Sequence, residues 1–480
     1  MRLILVFGVV GQLLRYFSAA FSAPAIFALV EGDYRTSIHF AFGLALTFVV
    51  GTVSAREHRR DTRFTRSEAL GVVSLTWLTT AIFAAVPYLF EGLSPVDALF
   101  ESMSGLTTTG ATILADFEGH SRAFYLWRAM SQWFGGVGVI ALFVVVLPRL
   151  GIAGRQLFFA EASTAPSEAI TPRIRDAATR LWMLYGGATL VVIVLLLISG
   201  LSLYDAVLHA FTTVSAGGFS PHGQSIAGLD SAAAEWIFVL FMVLAGISFT
   251  LQYKLVTGSP VSALADPELR FYLATVLCGV LTITWILGPG EPDSLRQAAF
   301  QSASVITGTG YASTDYNRWP DGARAMLVLL MIIGGCAGSA AGGPKAIRWL
   351  LVARRIQIEI KSVLHPRGVI PLRYKGQPVS DPIARAVFTL VVLYMGGYFV
   401  SGLILVLLGS DLVTGFSAAL ACLGNIGPAF GPAGPMGSYA EFSDAAKLLL
   451  TFDMWVGRLE IVTVLALFHP EVLKGLRLRE

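Results

Sequence analysis

Residues 305–314 read VITGTGYAST, a stretch in which Gly308, Thr309 and Gly310 alternate glycine with threonine. Glycine is a poor helix former, so a helix that crosses a membrane cannot run straight through this stretch. Taken alone, the stretch is either a surface turn or backbone left unwound so that its carbonyl oxygens are available for chemistry. The rest of the chain decides between these readings.

The composition indicates a polytopic membrane protein. The chain has 480 residues, of which 55% are hydrophobic and 14% are charged, and its mean hydropathy is +0.69. A soluble protein would carry about a quarter charged residues. Apolar runs of the roughly 20 residues that span a bilayer recur along the whole length, so we expect the lipid bilayer as the surroundings and no nucleic-acid partner.

Few residues suit catalysis or a bound cofactor. The three cysteines, Cys278, Cys336 and Cys422, lie in separate apolar stretches without metal-ligand spacing, which predicts free thiols. The chain also has no HExxH motif, no dinucleotide fingerprint and no catalytic pair of carboxylates within the spans. We therefore expect neither an enzyme nor a cofactor held by this chain.

Four segments share one pattern, in which a small residue stands twelve positions before a final glycine. They are VDALFESMSGLTTTG (96–110), YDAVLHAFTTVSAGG (204–218), RQAAFQSASVITGTG (296–310) and VTGFSAALACLGNIG (413–427). A second glycine follows after 28, 28, 28 and 30 residues, at Gly138, Gly246, Gly338 and Gly457. Each segment is too short to span a bilayer and lies between two apolar spans, so the chain is a fourfold repeat.

The predicted fold is an all-α polytopic membrane protein with four helix–pore-helix–filter–helix repeats around a pseudo-fourfold pore. The expected boundaries are 1–60 for two N-terminal transmembrane helices and 66–150, 176–257, 266–352 and 380–469 for pore repeats 1 to 4. The second span of repeat 2 is expected as one helix over about 234–256. The N-terminus also has features of a signal peptide, but Arg15 interrupts its apolar run and favours a retained helix.

The basic residues predict the orientation. If ten spans alternate, the basic stretches 55–66, 149–180 and 345–385 and the C-terminal tail fall on one side of the membrane. Positive residues favour the cytoplasmic side. Both termini are therefore expected in the cytoplasm, at the bacterial plasma membrane.

The four polar loops predict a cation site. Irregular backbone is viable at membrane depth only where it is shielded from lipid, and the C-terminal ends of four converging half-helices favour a cation. Rings of carbonyl oxygens can replace the hydration shell of potassium. The candidate filter residues are Thr108, Thr109, Gly110, Ala216, Gly217, Gly218, Gly308, Thr309, Gly310, Asn425, Ile426 and Gly427. None is a carboxylate, which argues against a divalent ion, although a surface turn stays the alternative for any single loop.

Further motifs accompany the filter segments TTTGAT, SAGGFS, GTGYAS and NIGPAFG, namely WFGGVGVI, GGCAGSAAGG and GRLE. Over essentially its whole length the sequence resembles the Trk/Ktr/HKT superfamily of potassium transporters, and its two extra N-terminal helices resemble the TrkH branch. In that superfamily a serine at the first filter glycine accompanies sodium permeation, so Gly110 implies K+ at the filter residues. The resemblance also implies a homodimer and a cytoplasmic nucleotide-binding TrkA-type partner, with 55–66, 149–180 and 351–385 as the candidate docking surface.

Residues 331–349, MIIGGCAGSAAGGPKAIRW, cannot form a straight helix because they contain five glycines and a proline. Pro344 and the lack of a Ser or Thr after Lys345 exclude a nucleotide P-loop. A helix-packing face of small residues is one reading. The other is an unwound gate below the filter over 334–343, which the resemblance supports. The candidate gate residues are Gly334, Gly335, Gly338, Ser339, Gly342, Gly343 and Arg458.

Arg458 lies deep in the last span, where a charge is costly without a partner or a cavity. It either pairs with Asp453 or Glu460, or it donates to carbonyls of the gate and adds a positive barrier to cation flow. Lys345 and Arg348 either line the same inner mouth of the pore or anchor the cytoplasmic end of their helix, and anchoring is the favoured reading.

Two functions fit these features. The first is potassium uptake through a channel-like pore, and the second is secondary transport of another small solute by discontinuous helices. Fourfold rather than twofold repetition favours the first. The sequence is compatible with passive flux and with symport of protons or sodium.

Overall fold

The computed structural model describes residues 2–56, 64–141, 170–258, 260–291, 293–366, 368, 370–470 and 472. Within them the chain is almost entirely helical, and the β-structure is one antiparallel pair, Arg373–Tyr374 with Gln377–Pro378. The expected all-α class is confirmed. Residues 57–63 and 149–169 of the expected docking surface and most of the basic C-terminal tail lie outside the described residues.

Two N-terminal helical spans precede the repeats. Leu3–Phe17 continues through a short 3-10 turn into Ser22–Val30, and Tyr34–Ala55 returns beside it. The two spans touch at glycines, because a methyl group at Gly11 would lie 2.8 Å from the carbonyl oxygen of Gly51. Small residues of this kind allow helix backbones to approach closely within a membrane.

Each repeat contains an outer helix, a short pore helix and an inner helix. The outer helices are Arg66–Ala84 with Val86–Phe90, Ile170–Ile198, Pro267–Leu287 and Asp381–Leu407. The pore helices are Pro95–Leu106, Leu203–Val214, Ser294–Thr307 and Leu412–Leu423. The inner helices are Arg122–Ala141, Ala232–Ala245 with Phe249–Val256, Asp321–Ile333 with Ala346–Leu364, and Asp444–Leu459 with Ile461–Leu467.

Local sequence determines where the pore helices begin. Ser94 and Ser202 accept from the backbone N–H groups of Asp97 and Asp205, respectively, at the starts of pore helices 1 and 2. Asp411 accepts from two backbone N–H groups at the start of pore helix 4. Hydrogen bonds from Thr414 hold the pKa of Asp411 below its usual range, so this cap is charged at neutral pH.

The helices meet the requirements of a membrane protein. Within the described residues, six helices are long and apolar enough to cross a bilayer, and the bent pair of inner helix 2 makes a seventh. The remaining expected spans are inner helices 1, 3 and 4. Inner helices 3 and 4 are interrupted, and the described part of inner helix 1 ends at Ala141. Many large apolar side chains, such as Trp285 and Val392, are exposed on the outside, where lipid covers them.

The repeats are arranged in a closed ring. Inner helices 1, 2 and 3 pack against pore helices 2, 3 and 4, respectively, and inner helix 4 packs against pore helix 1. Two ion pairs near the starts of pore helices 1 and 3 join neighbouring repeats in the same order. Lys447 Nζ lies 2.6 Å from Asp97 Oδ1, and Arg296 Nε lies 3.1 Å from Glu235 Oε2. The order of the repeats around the axis is therefore their order in the sequence.

The prediction of one helix over 234–256 is wrong. Inner helix 2 bends by 113° between Ala245 and Phe249. The carbonyl oxygen of Gly246 accepts from the N–H of Cys336, and the N–H of Phe249 donates to the carbonyl of Gly338. The residues that interrupt inner helix 3 therefore hydrogen-bond to the backbone at the break in inner helix 2. These contacts between repeats favour the bend, although the apolar pattern of the sequence is continuous there.

Candidate cation filter and gate

The four filter tripeptides touch one another in cyclic order. Each final glycine lies so close to the middle residue of the next tripeptide that a methyl group would overlap its carbonyl oxygen. The distances from that methyl position to the oxygen are 2.2 Å for Gly110 and Gly217, 1.7 Å for Gly218 and Thr309, 2.0 Å for Gly310 and Ile426, and 2.6 Å for Gly427 and Thr109. The last contact returns to repeat 1, so the ring closes.

All four tripeptides have the same backbone pattern. The first and third residues have positive φ angles, whereas the middle residue does not. The angles are 53° and 81° for Thr108 and Gly110, 54° and 78° for Ala216 and Gly218, 72° and 78° for Gly308 and Gly310, and 51° and 99° for Asn425 and Gly427. L-residues avoid this region, which is why glycine recurs at the third position. The alternation turns successive carbonyls toward one side.

The backbone N–H groups of the filter point back toward the pore helices. The N–H of each middle residue donates to the carbonyl five residues earlier, at the end of its own pore helix. The distances are 2.8 Å for Thr109 to Ser104, 2.8 Å for Gly217 to Thr212, 2.9 Å for Thr309 to Ser304 and 2.8 Å for Ile426 to Ala421. Because these donors are occupied, carbonyl oxygens are the polar groups that can face the space inside the ring.

The ring separates two cavities. Gly110, Gly218 and Gly310 line the outer cavity, and Asn425 lines the inner one. No carboxylate belongs to the ring, and the described residues contain no group of three or more His, Cys, Asp or Glu side chains that could hold a metal ion. Backbone oxygens, which the tripeptides can offer to the enclosed space, suit a monovalent cation.

Residues 334–345, the inner loop, interrupt inner helix 3. The inner loop lies against the end of the ring that faces the inner cavity. A methyl group at Gly342 would lie 2.0 Å from the carbonyl oxygen of Gly424 and 3.0 Å from that of Asn425. The nitrogen of Gly342 is also near Gly308, 3.1 Å from the methyl position there. The inner loop thus contacts two of the four filter segments from below.

The other candidate gate residues form the turns of the inner loop. Gly334, Gly338 and Gly343 have φ angles of 75°, 72° and 75°, so the helix cannot continue through them. The hydroxyl of Ser339 donates to the carbonyl of Cys336. Gly335 accepts from the N–H of Ala346, which starts the next helical segment.

The guanidinium of Arg458 donates from Nη1 to the carbonyl of Ala340 at 3.1 Å, and the side chain is 8% exposed. The two acids considered as its partners have other contacts, because Asp453 accepts from Ser401 and Glu460 accepts from Arg348. Arg458 therefore lies beside the inner loop, where its charge faces the inner cavity.

Comparison with known proteins places this architecture in one family. A family model described as a cation transport protein, TrkH, matches residues 36–472. The chain belongs to this TrkH family. The resemblance to the Trk/Ktr/HKT superfamily and its TrkH branch is thereby confirmed.

Relatives in the TrkH family match along nearly the full length. The Trk system potassium uptake protein TrkH of Halomonas elongata is 35% identical over 98% of this chain and 99% of that protein. The Escherichia coli K12 protein of the same name is 33% identical over 96% of this chain and 97% of its own length. The crystal structure of the potassium transporter TrkH from Vibrio parahaemolyticus superposes with a TM-score of 0.89, at 32% identity, over 98% of this chain and 100% of that one. These relatives are named as transport proteins rather than enzymes.

Sequence reasoning missed Gln132, which is fully buried behind the filter of repeat 2. Its amide donates to the carbonyl of Gly217 at 2.6 Å, and its oxygen accepts from the N–H of Phe219 at 3.0 Å. A side chain at Gly217 would collide with this amide, since the methyl position lies 2.4 Å from its carbon. In repeat 2 the carbonyl of the middle filter residue is thus held by a side-chain amide.

A buried ion pair supports the outer end of the ring and was also missed. Arg128 lies 2.7 Å from Glu101, and both side chains are at most 2% exposed. Arg128 also donates to the carbonyl of Ser220 in repeat 2, and Glu101 accepts from the N–H of Ile113 in repeat 1. Its charge among the apolar residues of inner helix 1 was the signal that could have identified Arg128.

Lys345 and Arg348 do more than anchor a helix end. Their side chains are 8% and 4% exposed. Lys345 donates to the carbonyl of Ala341, and Arg348 donates to that of Pro344. Together with Arg458 they line the inner cavity with three basic side chains and one acidic side chain, Glu460.

Proposed function

We propose that this chain takes up K+ across the bacterial plasma membrane through a channel-like pore. The observation that carries the proposal is the closed ring of four tripeptides, with repeated φ angles and backbone oxygens available to the enclosed space. The names of the relatives, all of them potassium uptake or potassium transport proteins, support K+ as the ion.

The inner loop acts as an intramembrane gate in this proposal. It lies against the inner ends of filter segments 3 and 4, and Arg458 adds a positive charge where a cation would leave the ring. A cation near an unscreened positive charge is strongly destabilised at low dielectric. Movement of the inner loop would both widen the path and shift this charge.

The membrane orientation and the partners complete the proposal. The basic stretches support cytoplasmic termini at the bacterial inner membrane. A second copy of the chain and a cytoplasmic nucleotide-binding TrkA-type subunit are proposed as partners, because the chain itself has no nucleotide motif. Within the docking surface, residues 351–366, 368 and 370–385 contain the end of inner helix 3, the β-hairpin and the start of outer helix 4.

Growth of a potassium-uptake-deficient bacterium at low external potassium tests the proposal. Expression of this chain with the regulatory partner is expected to restore growth. Failure to grow, with the protein present in the membrane and the partner supplied, would contradict potassium uptake. The breaks in inner helices 2 and 3 are the observation that favours the alternative, secondary transport of another solute, and such a protein would leave the strain dependent on high potassium.

A further inference from the structure

A buried carboxylate holds the inner loop from the cytoplasmic side. Glu268 stands in the first turn of outer helix 3 and is 6% exposed. Its Oε1 accepts from the backbone N–H of Ala337 at 2.6 Å. Hydrogen bonds between a carboxylate and a backbone N–H are among the stronger ones in proteins. Outer helix 3 thus fixes the inner loop at a point away from the filter and from Arg458.

The same helical turn is joined to the cytoplasmic β-hairpin. Asp266 caps outer helix 3, and its Oδ1 accepts from the N–H of Glu268 at 2.8 Å. Its second oxygen, Oδ2, lies 2.6 Å from Nζ of Lys375, in the turn of the hairpin. The Asp266 side chain is 4% exposed and that of Lys375 26%. One carboxylate therefore contacts the hairpin and the residue that holds the inner loop.

Apolar packing also joins the hairpin to inner helix 3. Leu372 and Tyr374 of the hairpin region form one buried cluster with Ile347 and Leu351 of inner helix 3, and Ala337 packs against that cluster. Arg354 of inner helix 3 also donates to the backbone of the hairpin, at the carbonyl of Arg373, at 2.7 Å. A displacement of the hairpin must therefore disturb the surroundings of Ala337.

We propose that Glu268 is a positioning residue that holds the inner loop in its occluding position, and that the Lys375–Asp266 pair couples this anchor to the β-hairpin. The proposal rests on the gate function proposed above. A partner that draws the hairpin away from outer helix 3 separates Lys375 from Asp266, loosens the first turn of the helix and releases Ala337.

Rubidium uptake into proteoliposomes that contain the full chain without a partner tests the anchor. Lys375→Met and Glu268→Ala are expected to raise uptake about fivefold, because each removes one link that favours the occluded state. Lys375→Arg keeps the ion pair and should behave like the wild type. Lys361→Met makes the same chemical change on an exposed face of inner helix 3 and is the matched control. The preference for K+ over Na+ should not change in any of them, since the filter is untouched.

Three outcomes distinguish the proposals. Unchanged uptake in Lys375→Met and Glu268→Ala, together with increased uptake in Arg458→Ala, would overturn the anchor and leave the gate in place. Unchanged uptake in all three variants would overturn the gate and the anchor together. An altered K+ over Na+ preference in Lys375→Met would show a general structural effect and would also overturn the anchor.

Discussion

The side-chain amide of Asn425 in repeat 4 donates a hydrogen bond to the hydroxyl of Thr109 in repeat 1 at 2.9 Å. The same amide nitrogen lies 2.9 Å from the carbonyl of Met454 in inner helix 4. Thr109 is in turn hydrogen-bonded to Thr107 at 2.7 Å. The first and last repeats are therefore joined by side chains as well as by the backbone contact of Gly427.

Removal of the Asn425–Thr109 bond is expected to weaken ion selectivity. Asn425→Gly suits the positive φ angle and removes only the side chain, and Thr109→Val removes the hydroxyl. Each variant loses a buried hydrogen bond, at about 1–3 kcal/mol for the group left unpaired. We expect the preference for K+ over Na+ to fall about tenfold, measured by sodium competition against rubidium uptake. Because both variants also lose a bond of their own, to Met454 or to Thr107, the double variant should lose more than either single one but less than their sum, and fully additive losses would contradict the contact.

A methyl group in the ring should strongly reduce uptake. Gly218→Ala places that group 1.7 Å from the oxygen of Thr309 and strains a residue with a φ angle of 78°. We expect uptake to fall at least about tenfold, because the filter must shift by more than a cation site tolerates. Gly187→Ala, at a helical glycine with no atom within 4 Å of the methyl position, is the control and should retain uptake. Equal uptake in both variants would argue against a close-packed ring.

Arg458→Ala should raise rubidium flux. The substitution removes a buried positive charge from the inner cavity and one hydrogen bond to the inner loop. Both changes lower the barrier for a cation, and we expect an increase of about tenfold. Arg318→Ala, at a side chain that is 86% exposed, serves as the control. Wild-type flux from a folded Arg458→Ala protein would show that Arg458 is not part of the gate.

The Arg128–Glu101 pair should be needed for stability. Arg128→Met leaves the fully buried carboxylate of Glu101 without its counter-charge, at a cost of roughly 3–5 kcal/mol. The thermal midpoint in detergent is expected to fall, and the Glu101→Gln, Arg128→Met double variant should recover part of the loss. Equal midpoints for the single and double variants would contradict this account.

The all-α membrane class and the fourfold order could be predicted because both are periodic along the chain. A backbone that needs positive φ angles must place glycine at fixed intervals, so Gly110, Gly218, Gly310 and Gly427 appear in the sequence itself. The bend of inner helix 2 could not be predicted in the same way. It depends on hydrogen bonds from Cys336 and to Gly338, which belong to another repeat.

Contacts between repeats were the least predictable part of the site. Gln132 and Gly217 are 85 residues apart, and Asn425 and Thr109 are 316 apart, so no local pattern connects them. In the sequence, Glu268 and Asp266 resemble ordinary capping residues at the start of a helix. The contact of Glu268 with the inner loop is visible only in the structure. Arg128 was visible as a charge within an apolar span, but its partner was not.

The most direct test of the central claim is the location of a bound cation. Crystals of the protein grown with rubidium in place of potassium should show anomalous density inside the ring, between the middle residues Thr109, Gly217, Thr309 and Ile426. That density should disappear in Gly218→Ala and persist in Gly187→Ala. Well-ordered crystals in which the ring holds no rubidium, or in which rubidium binds only elsewhere, would contradict a carbonyl filter formed by the four repeats.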